Sequence, residues 1–355
     1  MERKMVDLAC ERPDVASMDK LRELIRGCSG KVAIFTHPYP DPDAIGSMMG
    51  LKWLLGRFGI SSDLFYTGTI SHPQNRSMVN LLEPDLKLLG DYSDSQYCLR
   101  VTVDCIPENA GVPDPNFKFD VVIDHHKEMP RNFDGLYMNF KAGSACATIY
   151  SIIEYFGLEF DENDSLVTTG MMVGITTDTD FLMSDDCSEF EFNAWSKMFP
   201  YRDPLLLKQI INFERPKFWT ESKALACSEA TVEDSVGVVG MGIIPAKHRD
   251  MIADMADEMV TWEDVNTAVV FALVDGNKME GSVRTKASSV SVPALCQDLA
   301  GKFGKGGGKL GKGAYRYDLA GASIDEDEDE EIKKKAWDLF EYKETKRVFR
   351  IIRNK

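Results

Sequence analysis

Three short apolar runs in the first half of the chain end abruptly in aspartate or histidine: Lys31–His37 (KVAIFTH), Tyr97–Asp104 (YCLRVTVD) and Lys118–Asp124 (KFDVVID), the last continuing into His125 and His126. Each reads as a buried strand, as does Ser62–Thr67, whereas Ala44–Phe58, Ser144–Phe156 and Leu166–Ile175 carry apolar residues at helical spacing. Strands alternating with helices imply an α/β fold, a mostly parallel sheet wrapped on both faces. Ligands of such sheets bind in the crevice outside the carboxyl ends of the strands, which is where these charged groups fall.

With 355 residues the chain exceeds one comfortable core, so a second domain is expected. The stretch 201–222 holds two prolines around a helical segment and reads as a connector between a first domain, 1–200 with its core at 30–185, and a second, 223–342. The second offers a strand at Ser235–Met241, a helix at His248–Met259, and strands Thr267–Val274 and Met279–Thr285 joined by a turn at Asp275-Gly276-Asn277. A helix near Val292–Phe303, a glycine-rich stretch and a last strand, AYRYDLAG, follow. Residues 324–331 (IDEDEDEE) read as a solvated helix start, with acids placed to complement the helix dipole, and residues 343–355 as a basic C-terminal tail, packed or flexible.

Eight scattered cysteines without a C-x-x-C pair argue against a disulfide framework and a thiolate zinc site, and fit a reducing, cytoplasmic setting. No apolar stretch of signal-peptide or membrane-spanning length is present, so no membrane partner is expected. A net charge of −16 repels long nucleic acid and disfavours duplex DNA as a partner.

The segment His37-Pro-Tyr-Pro-Asp41-Pro-Asp43-Ala-Ile-Gly46-Ser47 places an imidazole and two carboxylates between a strand and a helix. In an extended, proline-stiffened loop Asp41 and Asp43 would point to opposite sides, each serving a different cation. The structural alternative makes Asp43 a helix cap and Asp41 a turn residue. Carboxylates crowded at one rim repel one another unless cations neutralise them, and Asp104, Asp124 and Asp178 (GITTDTD) add to the crowd. Mixed carboxylate and imidazole donors suit two Mn²⁺, with Mg²⁺, Fe²⁺ or Zn²⁺ as alternatives. Two such ions polarise a phosphoryl oxygen and activate the attacking water.

H-P-Y-P-D-P-D-A-I-G-S, V-T-V-D, I-D-H-H and G-I-T-T-D-T, in this order, resemble the four motifs of the DHH phosphoesterase superfamily. Gly281-Ser282-Val283-Arg284 and Gly306-Gly307-Gly308 resemble its DHHA1 substrate-binding domain. Together they are similar to the stand-alone branch of oligoribonuclease, phosphoadenosine-phosphate phosphatase and cyclic-dinucleotide-product phosphodiesterases. The resemblance implies a DHH domain and a smaller α/β DHHA1 domain with the active site in the cleft between them, and a homodimer. It implies that His37 and Asp41 hold one metal and that Asp43, His125 and Asp178 hold the other. Asp104 would bridge the two, while His126 would contact the scissile phosphate or protonate the leaving oxygen, and Asp124 would orient His125 through its second ring nitrogen. Asp180 is left as a cap or an outer group.

Arg284 is then placed to grip a phosphate, the Gly306–Gly308 loop to let backbone N–H groups approach the substrate, and Lys309 stands where the family usually has histidine. Lys302, Lys305, Lys309, Lys312 and Arg316 surround that loop without an acid among them. The expected activity is Mn²⁺-dependent hydrolysis of very short oligonucleotides such as pApA to mononucleotides, with phosphoadenosine phosphate as a further substrate. A pyrophosphate or polyphosphate hydrolase and a non-catalytic nucleotide sensor are the alternatives.

Overall fold

The computed structural model describes residues 14–114, 116–319, 323–324 and 327–354. It divides into two units, one ending at Glu214 and the other beginning at Arg215.

In the first unit the strands are β1 (Lys31–Phe35), β2 (Ser62–Tyr66), β3 (Leu86–Leu88), β4 (Tyr97–Val103), β5 (Val121–Ile123) and β6 (Leu136–Met138). All pair in parallel, in the order β3-β2-β1-β4-β5-β6. The helices are α1 (Val15–Gly27), α2 (Pro42–Arg57), α3 (Pro73–Leu82), α4 (Ala145–Tyr155), α5 (Ser165–Asp178), α6 (Glu189–Met198) and α7 (Pro204–Ile211). Alternation along β1 sends Val32 and Ile34 to one face, where residues from all seven helices join them in one core, and Ala33 and Phe35 to the other. That second face is covered by aromatic side chains rather than helices: Phe35 meets Phe65, Phe117 and Phe119 with ring centroids 5.3–5.4 Å apart. The handedness of crossovers accounts for the asymmetry. Steps from β1 toward β3 and steps from β4 toward β6 run in opposite directions across the sheet, so right-handed connections lie on opposite faces, and the segments after β4 and β5 carry no α-helix.

The helix read at Leu166–Ile175 extends to Asp178, the last residue of α5. One difference from the sequence reading falls in this unit. Cys28 and Cys98 are joined in a disulfide, Cα–Cα 5.6 Å, between the C-cap of α1 and β4. Their separation of 70 residues hides the pair from a reading based on spacing.

The second unit contains α8 (Lys217–Glu229), β7 (Thr231–Glu233), β8 (Val236–Ile244), α9 (Met251–Met259), β9 (Thr267–Val274), β10 (Lys278–Thr285), α10 (Val292–Ala300), β11 (Lys305–Lys309), β12 (Lys312–Asp318) and α11 (Glu330–Arg353). Its sheet has the order β11-β12-β10-β9-β8-β7, with α8 and α9 packed on one face and α10 and α11 on the other. Only the β8–β9 pair is parallel. The β9–β10 turn has positive φ at Asp275 (48°) and Gly276 (67°), as the two central positions of a type I′ hairpin require.

The 201–222 stretch contains the division between the units and the helical segment expected of it, α7, which Pro204 opens, while Pro216 directly precedes α8. Two segments differ from expectation here. The glycine-rich stretch is strand β11, not a loop. The basic residues from Lys343 to Arg353 form no separate tail: they continue α11, whose Val348 and Phe349 are buried in the core, while Lys355 lies outside the described residues. Asp329 caps that helix and Glu330 and Glu331 occupy its first turn, while Asp325 and Glu326 lie outside the described residues.

Helices α2, α4 and α5 approach closely through glycine. A Cβ on Gly46 would lie 2.6 Å from the Gly170 carbonyl oxygen and 2.8 Å from Cys146 Sγ, and one on Gly174 would lie 2.6 Å from that sulfur and 2.9 Å from Asp43 Cα. Gly46→Val should therefore destabilise the protein by about 1–3 kcal/mol through overpacking, measured as a lower urea midpoint at unchanged slope.

Candidate metal centre

Strand order reverses direction between β1 and β4, which makes their carboxyl ends the topological switch point of the sheet. His37 follows β1, Asp104 follows β4, and Asp124, His125 and His126 follow β5. Asp104 has φ +58°, a left-handed conformation that aspartate tolerates better than branched or bulky side chains do, and its N–H still donates to the Ile123 carbonyl at 2.9 Å.

The remaining carboxylates come from helix termini. Asp41 is the N-cap of α2, its Oδ1 accepting from the Ala44 N–H at 3.0 Å. Asp43 sits in the first turn and is 1% exposed, accepting from the Ala145 and Cys146 N–H groups at 2.6 and 3.0 Å. Cap and first turn point the two carboxylates into different groupings. The cap is thus Asp41, not Asp43 as the structural alternative had it, and capping does not remove it from the site.

The structure brings His37, Asp41 and Asp104 into one group, Asp43, His125 and Asp178 into a second, and Asp104, His125 and His126 into a third, with the donor atoms of each within 4.8 Å of one another. His37 Nε2 lies 3.4 Å from Asp104 Oδ2, and His125 Nε2 lies 3.3 Å from both Asp104 Oδ1 and Asp178 Oδ2 and 3.9 Å from Asp43 Oδ2. Asp104 thus offers one oxygen to each imidazole. The rings are aimed by their other nitrogens, His37 Nδ1 at the Pro38 carbonyl (2.9 Å) and His125 Nδ1 at the Ala142 carbonyl (3.3 Å).

Asp124 does not orient His125. It is fully buried, and its Oδ1 accepts from the His125 and His126 N–H groups and faces His126 Nδ1 at 2.8 Å. Asp124 therefore positions His126. Glu191, which the metal-site motifs do not include, is also fully buried and accepts from the Gly143 N–H at 2.7 Å, fixing the segment ahead of α4. Its signal in the sequence is the capping box at Ser188 and Glu191. Asp180 lies outside the three groups, exposed and with φ 49°.

The expected substrate residues belong to the second unit. Arg284 Nε and Nη2 meet the two Asp257 carboxylate oxygens at 2.5 and 3.0 Å, and Gly306, Gly307, Gly308 and Lys309 lie in β11.

The electrostatics of the first-unit cluster suit cations. Buried oxygens Asp104 Oδ1 and Asp178 Oδ2 accept no hydrogen bond. Burial, together with the neighbouring Asp104 and Asp178 charges, raises the carboxyls of Asp41 and, more strongly, Asp43. Burial pulls the His37 and His125 imidazoles down, but the facing Asp104 carboxylate and the other carboxylates around them outweigh it and hold both at about 10. Asp104 itself stays low: its two histidine partners overcome the cost of burial. Protons occupy the places where cations fit, and four carboxylates with two imidazoles and no thiolate suit hard to borderline divalent ions.

A linked stability change follows. Between the ordinary histidine value of 6.5 and about 10 the folded protein retains imidazole protons that the unfolded chain has lost, so metal-free stability falls as pH rises through that window. The raised aspartates act with the same sign above 3.8. In EDTA, Tm should fall from about pH 7 to about pH 9, and saturating Mn²⁺ should remove the decline; differential scanning calorimetry checks both.

Comparison with known proteins places this crevice. Residues 31–175 match the DHH family, N-terminal domain. An uncharacterized protein of Methanocaldococcus jannaschii is 31% identical over 281 residues, which cover 77% of this chain and 55% of that protein, so the chain spans little more than half the length of this curated relative. The crystal structure of an exopolyphosphatase-related protein from Bacteroides fragilis shares the fold, with TM-score 0.69 over 96% of this chain and 99% of that one, at 14% identity. RecJ from Thermus thermophilus, in complex with Mn²⁺, aligns with 92% of this chain and 54% of its own at TM-score 0.48 and 16% identity. The matched residues supply His37, Asp41, Asp43, Asp104, Asp124, His125 and His126 of the crevice, with Asp178 three residues beyond them, and this part of the chain is a DHH-family N-terminal domain.

Proposed function

We propose that this protein is a divalent-metal-dependent phosphoesterase that hydrolyses very short oligonucleotides of the pApA kind to mononucleotides, with phosphoadenosine phosphate as a further substrate. The observation that carries the reading is the pair of His/Asp groups sharing Asp104 at the switch point of the sheet. His37 and Asp41 would hold one cation, Asp43, His125 and Asp178 the second, and Asp104 both. Manganese is the best match to these donors, and two such ions supply Lewis-acid polarisation of a phosphoryl group and a nucleophilic water at neutral pH.

The chain's own residues supply positioning and proton transfer. Asp43 is anchored by two N–H groups at the start of α4, where the helix dipole favours its negative charge. Asp124 holds His126 by Nδ1, which leaves Nε2 for a phosphate oxygen or for the leaving oxygen; the ring is half-exposed, as a group that meets substrate must be. In the second unit the cations around β11 and β12 give an acidic protein a local surface for phosphate. Such a surface favours short anionic substrates, because the net charge of −16 opposes a long strand. A cytoplasmic setting is where such products of RNA turnover arise, and a homodimer is part of the same proposal.

Mononucleotide release with Mn²⁺ should be faster from pApA than from a 24-mer RNA or tripolyphosphate, and Asp104→Ala should abolish it. A 24-mer cleaved as fast as pApA would overturn the short-substrate preference, and phosphate release from tripolyphosphate at the pApA rate would favour a polyphosphate hydrolase. His126→Ala should lower kcat by about 10²- to 10⁴-fold, the usual worth of a general acid or base, while leaving Mn²⁺ affinity within a few-fold of wild type by calorimetry. Equal loss of metal binding would make His126 a ligand.

A further inference from the structure

The two groups that share Asp104 are not supported alike. Asp43 and Asp178 belong to α2 and α5, which pack through glycine, and Asp43 also accepts from two N–H groups at the start of α4. His37 and Asp41 instead stand at either end of the short connection from β1 to α2. That connection carries Pro38 and Pro40, and Pro42 follows it; none of the three has an N–H to donate. A segment so poor in donors cannot tie itself down through its own backbone, so its neighbours must set its course. Tyr39 within it has φ 65°, a left-handed conformation that a bulky side chain holds only where the surroundings enforce it.

Two of those neighbours act by shape. A Cβ on Gly111 would lie 2.5 Å from Pro38 Cγ, and one on Gly68 would lie 3.3 Å from both Pro38 Cβ and the Tyr39 nitrogen. The third acts by polarity: Asn75 Nδ2 donates to the Pro40 carbonyl at 3.0 Å, directly ahead of Asp41. Asn75 stands where α3 calls for an apolar residue. With Met78 and Leu82 it forms the buried stripe of the helix, and it is 8% exposed. A buried amide is costly unless it is hydrogen-bonded, so its presence needs a reason. Capping of α3 is not that reason: His72 is the N-cap, and its ring accepts from the Gln74 N–H. The amide nitrogen of Asn75 serves an acceptor, and that acceptor lies 35 residues earlier in the chain.

We propose that Asn75 is the positioning residue for the His37 and Asp41 half of the metal centre. By holding the Pro40 carbonyl it fixes the turn that delivers Asp41 beside His37 and Asp104, so the affinity of this half for a divalent cation depends on a side chain that touches no cation. The half built on Asp43, His125 and Asp178 takes its support from helix packing and does not depend on Asn75. Met78 and Leu82 anchor α3 in the core, which makes the donor rigid. The inference rests on the two-cation reading of the cluster and names the side chain that sets one of its two affinities.

Isothermal titration calorimetry of Mn²⁺ into the full chain, stripped with EDTA and desalted, tests it without turnover. The wild type should show two binding steps, and Asp41→Ala identifies the one that belongs to His37 and Asp41. Asn75→Ala should weaken that step by about 10- to 100-fold, the usual cost of losing an outer partner of a metal ligand, and leave the other within a few-fold. Asn75→Leu, which completes the apolar stripe without a donor, should weaken the same step equally while its Tm in EDTA stays within about 5 °C of wild type. A residue that matters only for packing would leave Mn²⁺ affinity unchanged in the leucine variant, and that result, or equal weakening of both steps, overturns the inference. Unfolding of both variants in EDTA would overturn it too, by making Asn75 a structural residue. A wild type that binds one Mn²⁺ or none would instead remove the two-cation reading, and the inference with it.

Discussion

Everything in the first unit is arranged around one carboxylate that is buried and shared. Asp104 is 3% exposed and presents one oxygen to His37 and the other to His125, so it joins the groups that leave the ends of β1 and β5. A lone carboxylate at that depth would stay protonated; the two imidazoles keep it ionised despite burial. Burial first, then the same charge together with Asp178, raises Asp41 and Asp43, so full ionisation of the cluster on its own is disfavoured. Frustration of this kind has one general remedy, positive charge in the middle. Protons provide it partially and divalent ions would provide it more completely, so metal binding at these side chains would be coupled to fold stability.

Holding such a cluster together requires a rigid support, and the support is helix packing. Asp43 and Asp178 reach the site from α2 and α5, which, with α4, lie too close for any side chain at Gly46 or Gly174. The contact with Asp43 Cα ties the packing directly to the site, since a larger residue at Gly174 pushes the backbone that carries the ligand. Glu191 acts similarly one layer out, where it fixes Gly143 and so the start of α4, whose N–H groups hold Asp43. The geometry of the rim is thus set by contacts that contain no ligand.

The first unit is largely legible in the sequence because burial and charge change abruptly at a strand end. KVAIFTH, VTVD and VVIDHH announce both the strand and the group that leaves it, and the helix after HPYPDPD is visible from its apolar spacing. What stays hidden depends on distance or direction. The helix that carries Asp178 is read from its spacing as far as Ile175, and only its last turn, which brings Asp178 to the crevice, is not. Adjacent histidines give no clue to which ring Asp124 holds; a residue two positions on is reached more easily than its immediate neighbour when the chain turns at the strand end. Cys28 and Cys98 meet only because Lys31 is in register with Tyr97.

In the second unit the glycine run misleads because composition carries no information about pairing. Consecutive glycines usually mark a loop, yet β11 bonds in full register to β12, and its glycines answer to different needs on its two sides. On the α10 side the backbone lies against a carbonyl, and there glycine is a packing requirement. On the other side the same strand leaves Gly307 bare, with space beside it. Lys309 is therefore not an isolated replacement for a histidine. It stands opposite Lys312, itself opposite Arg284, so the side chain that departs from the family's habit extends a charged row rather than interrupting a specific contact. A point charge with a flexible stem tolerates many positions of an anion where an imidazole selects one, and Arg284 on β10 is held rigidly by Asp257.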